Sequence, residues 1–242
     1  MKEQGGKPLI DDPTVTHHEA NLNPNPKSTA LVDVLRLQHV SITVAGRTLL
    51  ADWSVEVRPG EVLTVMGPSG AGKSSLLAWV GGFLRPPFDA HGALSIGTDR
   101  FDTWPAHQRR AGILFQDDLL FPHLSVAGNL LFGVPADVRG RAVRRALVES
   151  ALADADLEGF GNRDPATLSG GQRARVALLR TLLARPRMLL LDEPFGKLDA
   201  RLRHDFRVLV FERARQLGLP TLLVTHDEGD AEAAGGPVKV LE

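Results

Sequence analysis

Apolar positions along the chain fall into two periods that alternate. Leu35 to Val44 alternates apolar and polar residues, and Trp53-Ser-Val-Glu-Val57 does so again, the two-residue period of half-buried strands. Pro59-Gly60 marks a turn into Val62-Leu-Thr-Val-Met66, an unbroken apolar stretch that predicts a buried strand, and Ser75-Leu-Leu-Ala-Trp-Val80 predicts the start of a helix. Two more apolar runs, Met188 to Leu191 and Leu222 to Val224, close on polar residues: Asp192-Glu193 after the first, Thr225-His226-Asp227 after the second. Val143, Leu147 and Ala151 recur at helical spacing among Arg139, Arg141, Arg144 and Arg145, which predicts a helix with a core face and a solvated arginine face. Strand and helix signals taking turns across glycine loops predict an α/β domain over residues 31–242.

Composition narrows the setting. An apolar share of 43% in 242 residues is enough for a buried core. There is no cysteine, so neither a disulfide framework nor a cysteine-ligated metal is available. A net charge of −1 provides no basic surface to hold nucleic acid through counterion release, and no nucleic-acid partner is expected. The apolar runs fall far short of the roughly 20 residues needed to span a bilayer, so a soluble chain is expected, with any membrane role exercised through a partner. Residues 1–30 carry Pro8, Pro13, Pro24 and Pro26 among polar residues with no apolar periodicity, and are expected to form a disordered N-terminal tail. His17-His18 in that tail reads as a solvated pair, and His39, His91, His107, His123 and His204 show no metal-site spacing.

The chemistry concentrates in two places. Gly67-Pro68-Ser69-Gly70-Ala71-Gly72-Lys73-Ser74 has the spacing of a P-loop, Gly-x-x-x-x-Gly-Lys-Ser, between a predicted strand and a predicted helix. In that setting glycines let backbone N–H groups turn in around phosphate oxygens, Lys73 reaches the β- and γ-phosphates, and the Ser74 hydroxyl ligates Mg²⁺. Ser75 opens the helix whose N-terminal N–H groups face the same phosphates. Asp192 and Glu193 stand at the end of an apolar strand, where ligands bind in open α/β sheets. There Asp192 is expected to hold Mg²⁺ through water and Glu193 to polarise the water that attacks the γ-phosphate.

Leu168-Ser169-Gly170-Gly171-Gln172, followed by Arg173 and an apolar helical run, is similar to the signature of ATP-binding cassette (ABC) ATPases, and the resemblance extends from Leu35 to Leu241. It implies a P-loop NTPase cassette with a RecA-like core, an antiparallel β subdomain and a helical signature subdomain over about 117–168. It also implies roles that the residues alone do not: Gln116 as the Q-loop glutamine that senses Mg²⁺ and the attacking water, His226 as the switch histidine at the γ-phosphate, and Asp199 as the retained aspartate of the D-loop. Ser169 and Gly171 would donate to the γ-phosphate of ATP held by a second copy, with Gly170 and Gln172 beside them. One chain then holds half of each site, so a second ATPase subunit is implied. Phe115 to Asn129 is similar to importer ATPases of the spermidine, iron, thiamine and molybdate type. That implies transmembrane permease subunits as partners, a periplasmic or extracellular substrate-binding protein beyond them, and a location on the cytoplasmic face of the inner membrane. The alternative is the ATPase of a lipoprotein-release or efflux system, whose cassette differs in fine detail.

Some features depart from the family pattern. Relatives place an aromatic residue for adenine near position 44, where this chain has Val44, and it has no tyrosine anywhere. Weak base discrimination is therefore expected, with Val44→Tyr tightening ATP binding. Ala233-Ala-Gly-Gly-Pro237 is expected to oppose the helix that relatives form after the switch histidine. The sequence ends at Glu242, and no regulatory domain beyond the cassette is expected. A coiled-coil repair ATPase is disfavoured because Lys73 to Ser169 shows no sustained heptads, and a two-cassette translation factor because there is one P-loop and one signature. Glu193 and His226 together oppose a cassette that binds ATP without turning it over.

Overall fold

The computed structural model describes residues 33–242, and the expected tail over 1–30 lies outside the described residues. In chain order the elements are β1 (Leu35–Val44), β2 (Arg47–Val57), β3 (Val62–Met66), α1 (Lys73–Gly81), β4 (Phe88–Ile96) and β5 (Asp99–Arg100). There follow α2 (Ala106–Arg109), β6 (Ala111–Leu114), α3 (Val126–Gly133), α4 (Arg141–Ala153) and α5 (Gly170–Leu183). The last are β7 (Met188–Asp192), α6 (Ala200–Gln216), β8 (Thr221–Val224), α7 (Glu228–Ala234) and β9 (Val238–Val240).

Alternating sequences and continuous apolar ones build two different sheets. β1, β2, β4 and β5 pair antiparallel in the order β2-β1-β4-β5. In β1 the inward residues are Leu35, Leu37, Val40 and Ile42, so the period of two slips once. The slip is a bulge around His39, whose φ of 53° adds the extra residue that returns Val40 to the core side. The apolar runs form a parallel sheet in the order β6-β7-β8-β3-β9. Its central strands β3, β7 and β8 are buried on both faces, as their unbroken hydrophobicity requires, whereas β9 at the edge is exposed. Met188 and Leu190 of β7 join a core with β1, α1 and Leu222, whereas Leu189 and Leu191 join a second core with α5 and α6. A third core gathers Val126 and Leu130 of α3, Val148 and Leu152 of α4, and Val176, Leu179 and Leu183 of α5. Helix α5 thus packs one side on the sheet through Ala174, Ala177 and Leu178 and the other on the helical layer. The fold is the P-loop α/β cassette with an antiparallel sheet and a helical layer.

Two expectations need correction. Val143 is not on the core face of α4; it is 53% exposed, and the buried stripe is Val148, Ala151 and Leu152 with Leu147 beside it. Nor does Arg144 face solvent: its guanidinium caps the end of α3, donating to the carbonyls of Leu131 at 3.0 Å, Val134 at 3.2 Å, Pro135 at 2.8 Å and Val138 at 3.3 Å. Leu131 and Pro135 also accept from the N–H groups of Val134 and Val138, so the guanidinium ties α4 to the end of α3 and to the turn that follows it. The second correction concerns Ala233 and Ala234, which lie inside α7. The helix forms because Asp227 caps it, accepting from the N–H of Asp230, and it stops at Gly235 with φ 66°. Gly236 then passes so close to Val62 that a Cβ would run into its carbonyl oxygen, which is what lets β9 reach β3.

Arg109 ties the antiparallel sheet's loop to α1. It is 6% exposed and donates to the carbonyls of Trp104 at 2.7 Å, Trp79 at 2.6 Å, Val80 at 3.1 Å and Asp102 at 2.5 Å. Burial lowers its pKa, but the group stays cationic at any working pH. Arg109→Ala is expected to destabilise the fold by about 3 kcal/mol, because it strands buried carbonyls as well as removing their donor. Arg109→Lys, which lacks the fork, should recover little of the loss, as read by urea unfolding midpoints.

Candidate functional site

The parallel sheet sets the site by ending three neighbouring strands at one edge. Val65 of β3 is level with Val224 of β8, which is level with Asp192 of β7. The chain therefore releases Gly67, Thr225 and Glu193 side by side. From β3 the loop over 67–72 turns into α1, and Gly72 precedes the helix with φ 90°. A Cβ on Gly72 would lie 3.0 Å from Leu49 Cβ, so the loop is seated directly on β2. Lys73 is 8% exposed, and its Nζ donates to the carbonyls of Gly67 at 2.8 Å and Pro68 at 2.9 Å. Its ammonium is thus held inside the ring of loop backbone, where an anion's oxygens would lie.

Ser74 Oγ donates to Asp192 Oδ1 at 3.1 Å, joining the loop to the end of β7. Burial raises the pKa of Asp192 above the ordinary carboxylate value, and the neighbouring Glu193 adds to this, while the Ser74 hydroxyl opposes it. A hydroxyl and a carboxylate in contact make an all-oxygen pair suited to a hard cation such as Mg²⁺, which takes one or two protein oxygens and completes its shell with phosphate and water. Among the described residues no cluster of three His, Asp or Glu side chains gathers around a metal position.

Glu193 has φ 49°, a left-handed conformation costing a non-glycine residue about 1–3 kcal/mol. Its N–H donates to the carbonyl of Val224 at 2.9 Å, and its Oε1 lies 3.1 Å from Nδ1 of His226. Gln116 stands two residues beyond β6, whose Leu114 is level with Leu191 of β7. Its side chain lies over Gly196, where a Cβ would come 3.2 Å from Nε2. Lys73, Ser74, Asp192, Glu193, His226 and Gln116 are thus brought to one edge. A cleft of about 430 Å³ opens there, lined by residues of the loop over 69–75 and by Glu193.

His226 is held from behind by a charged network. Arg203 and Arg207 of α6 donate to the two oxygens of Asp227 at 2.8 Å and 3.1 Å. Arg207 also reaches Asp230 at 2.6 Å, and Asp230 accepts from Thr225 Oγ1 at 2.6 Å. Burial works to raise the pKa of Asp227, but the N–H of Asp230 and the Arg207 guanidinium outweigh it and hold the carboxyl below its ordinary value.

The signature residues lie apart from this edge. Ser169 caps α5: its Oγ accepts from the N–H of Gln172 at 3.3 Å, while its own N–H donates to Gln172 Oε1 at 2.9 Å. A Cβ on Gly170 would lie 3.8 Å from Leu198, and one on Gly171 3.1 Å from Leu202. The signature thus abuts the segment carrying Asp199, which caps α6 by accepting from the N–H of Leu202 at 3.0 Å. None of Ser169, Gly170, Gly171, Gln172 or Asp199 lines the cleft.

Sequence reasoning missed Arg47, Leu49 and Phe88, which line the cleft beside Val44. No local motif marks them. They arrive through the pairing of β4 and β2 with β1, and only Pro86-Pro87 hints that a strand begins at Phe88. Also missed were Arg173 and Arg180 of α5, which anchor the segment after Gln116. Arg173 donates to Asp118 at 3.3 Å, and Arg180 donates to the carbonyl of Leu119 at 2.8 Å.

The family model for ABC transporter matches residues 50–196. The chain is 50% identical over 200 residues to an uncharacterized ABC transporter ATP-binding protein, YnjD, of Escherichia coli, covering 83% of this chain and 92% of that one. It is 43% identical over 208 residues to the Fe(3+) ions import ATP-binding protein FbpC of Streptomyces coelicolor. It is also 41% identical over 212 residues to the sulfate/thiosulfate import ATP-binding protein CysA of Xanthomonas campestris pv. campestris. Each of those two matches covers 86% of this chain but only 59% and 61% of the relative's own length.

The raised pKa of Asp192 makes a prediction for the protein without metal. A carboxyl whose pKa is raised on folding favours the folded state below its unfolded pKa and loses that advantage as pH rises through the folded value. At neutral pH the buried charge is therefore a cost. Asp192→Asn keeps an oxygen for Ser74 and is expected to melt above the wild type at about pH 7 in the presence of a chelator. The difference should shrink as pH falls toward the ordinary carboxyl value near 4. Melting curves against pH for both proteins check it.

Proposed function

The chain belongs to the ABC transporter family as an ATP-hydrolysing, ATP-binding subunit, and we propose that it is the nucleotide-binding subunit of an importer. The import readings of the iron and sulfate relatives support this direction. In this reading it sits at the cytoplasmic face of the inner membrane on transmembrane permease subunits, with a substrate-binding protein on the far side. No described helix is long and apolar enough to cross a membrane.

The observation that carries the reading is the meeting of Ser74 with Asp192 and of Glu193 with His226 at one sheet edge. Lys73 binds the β- and γ-phosphates, exchanging the carbonyls of Gly67 and Pro68 for phosphate oxygens. The loop N–H groups and the N-terminus of α1, whose first turn carries no acidic residue, add to the anion site. Ser74 and Asp192 would hold Mg²⁺, which when bound neutralises charge on the phosphate oxygens. Glu193 accepts the proton of the attacking water, and His226 orients the Glu193 carboxylate through Nδ1. Gln116 sits where it can follow the state of the site and pass it to the segment that Arg173 and Arg180 anchor to α5.

The remaining contacts come from a second copy. Ser169 Oγ uses a lone pair to cap α5 and keeps its hydroxyl hydrogen as a donor. With Gly171 it is offered to the γ-phosphate held by the partner, and Asp199 lies beside them at the same surface. ATP closes the pair, hydrolysis releases it, and the permease follows.

Glu193→Gln is expected to keep ATP affinity while lowering hydrolysis by about 10²- to 10⁴-fold, the range of a general base. It should accumulate an ATP-bound dimer, visible as a shift in size-exclusion elution. Hydrolysis at the wild-type rate by this variant would remove Glu193 from the role.

A further inference from the structure

The end of the cleft opposite the phosphate loop is a row of three residues on three strands. Arg47 of β2 lies directly across from Val44 of β1, and Val44 directly across from Phe88 of β4. Residues opposed across antiparallel strands project from the same face. All three line the cleft that Lys73 and Ser74 also line. The row's distance from the phosphate loop is fixed, because Leu49, two residues from Arg47, is the side chain on which Gly72 is seated. Phe88 is half-buried and packs against the core that β1 and α1 share. A ring packed on one side and open to a cleft on the other is a rigid platform.

We propose that Phe88 is the residue on which the nucleotide's base stacks, so that base recognition comes from the start of β4 and not from the end of β1. The proposal rests on the nucleotide-site reading given above. Stacking recognises the face of a ring and is tolerant of which base supplies it. Within the row Arg47 alone forms hydrogen bonds, and it is a donor only. Adenine and guanine both present the N7 acceptor, so Arg47 does not tell them apart. The site therefore takes purine nucleoside triphosphates as a class, ATP and GTP alike, and holds single-ring pyrimidines less well because they cover less of the phenyl face. Val44→Tyr gains less than its sequence context suggests, since a second ring at position 44 competes for space with the one beside it.

The test is equilibrium titration of the full chain with Mg²⁺ and ATP, GTP, CTP or inorganic tripolyphosphate. Phe88→Leu keeps the packing volume apolar but removes the ring. It is expected to weaken ATP and GTP by about 5- to 140-fold, equivalent to 1–3 kcal/mol at 1.4 kcal/mol per decade, and to leave tripolyphosphate unchanged. Phe88→Trp should restore both purine nucleotides, and the emission of the added indole should change with ATP and GTP but not with tripolyphosphate. That second readout decides the matter if the leucine variant fails to fold. ATP affinity in Phe88→Leu within twofold of the wild type, equal weakening of ATP and tripolyphosphate, or an indole silent to ATP would each overturn the proposal. Lys73→Ala separates it from the reading beneath. If that variant binds ATP and tripolyphosphate as the wild type does, the nucleotide site is elsewhere and both fall; if it loses both ligands while Phe88→Leu loses neither, only the stacking role falls.

Discussion

The parallel pairing of β3 with β8 and of β8 with β7 is the constraint on which the rest of the molecule depends. Because Val65, Val224 and Asp192 are level, the loop over 67–72, His226 and the acidic pair emerge together without any long-range loop having to find another. The pairing is itself enforced by burial on both faces. Alternate residues of β7 enter two different cores, so a slip of one residue would exchange Leu189 and Leu191 for Met188 and Leu190 across the sheet and disturb both at once. What lies at the strand ends is polar, and it inherits its precision from the hydrophobic residues of the strands beneath it.

Precision beyond the strand ends comes from arginines acting on backbone. Arg109, Arg144 and Arg180 each donate to main-chain carbonyls of loops or helix ends, and Arg203 joins the carbonyl of Leu198 to the carboxylate of Asp227. The planar fork suits this task, since it satisfies several acceptors at once with little entropy left to lose. Arg203 and Arg207 on one helix consequently hold both the segment leading to Asp199 and the turn carrying His226. One of those segments leads to the surface where the signature lies and the other carries His226, and Arg203 on α6 joins them directly.

Motifs and buried strands were legible in the sequence because each is a local statement. Val62 to Met66, Met188 to Asp192 and Leu222 to Val224 are written as apolar runs, and the P-loop spacing requires nothing outside its own eight residues. What was not legible depends on pairing between distant segments. The bulge at His39, the cleft residues Arg47 and Phe88, and the carbonyl-capping role of Arg144 all follow from neighbours that sequence distance hides. Helix α4 illustrates the physics: Val143, Leu147 and Ala151 keep the right period, but the buried stripe runs through Val148, Ala151 and Leu152, Arg144 reaches back to the end of α3, and Val143 is left in solvent. In α7 the glycines were read correctly as breakers, yet the Asp227 cap starts the helix early enough to complete two turns before Gly235 ends it. Of the site residues, Lys73, Ser74, Asp192 and Glu193 were marked by their own motifs and Gln116 and His226 only by the family resemblance, while nothing local hinted at the aromatic ring of Phe88 opposite Val44.

The strain at Glu193 connects fold and chemistry. An unstrained residue after β7 would continue the strand direction and carry its carboxylate away from Ser74 and His226. The left-handed turn at φ 49° instead folds the chain back over the sheet edge, and the bond from its N–H to the carbonyl of Val224 offsets part of the cost. The same turn leads Pro194 to Lys197 past Gln116 and delivers Asp199 to the surface where the signature lies. A single backbone conformation therefore aims the Glu193 carboxylate into the cleft and sends the next segment toward the surface where the signature lies. The chain has to do both within seven residues, which is why the position is held by a buried strand on one side and by the Asp199 cap of α6 on the other.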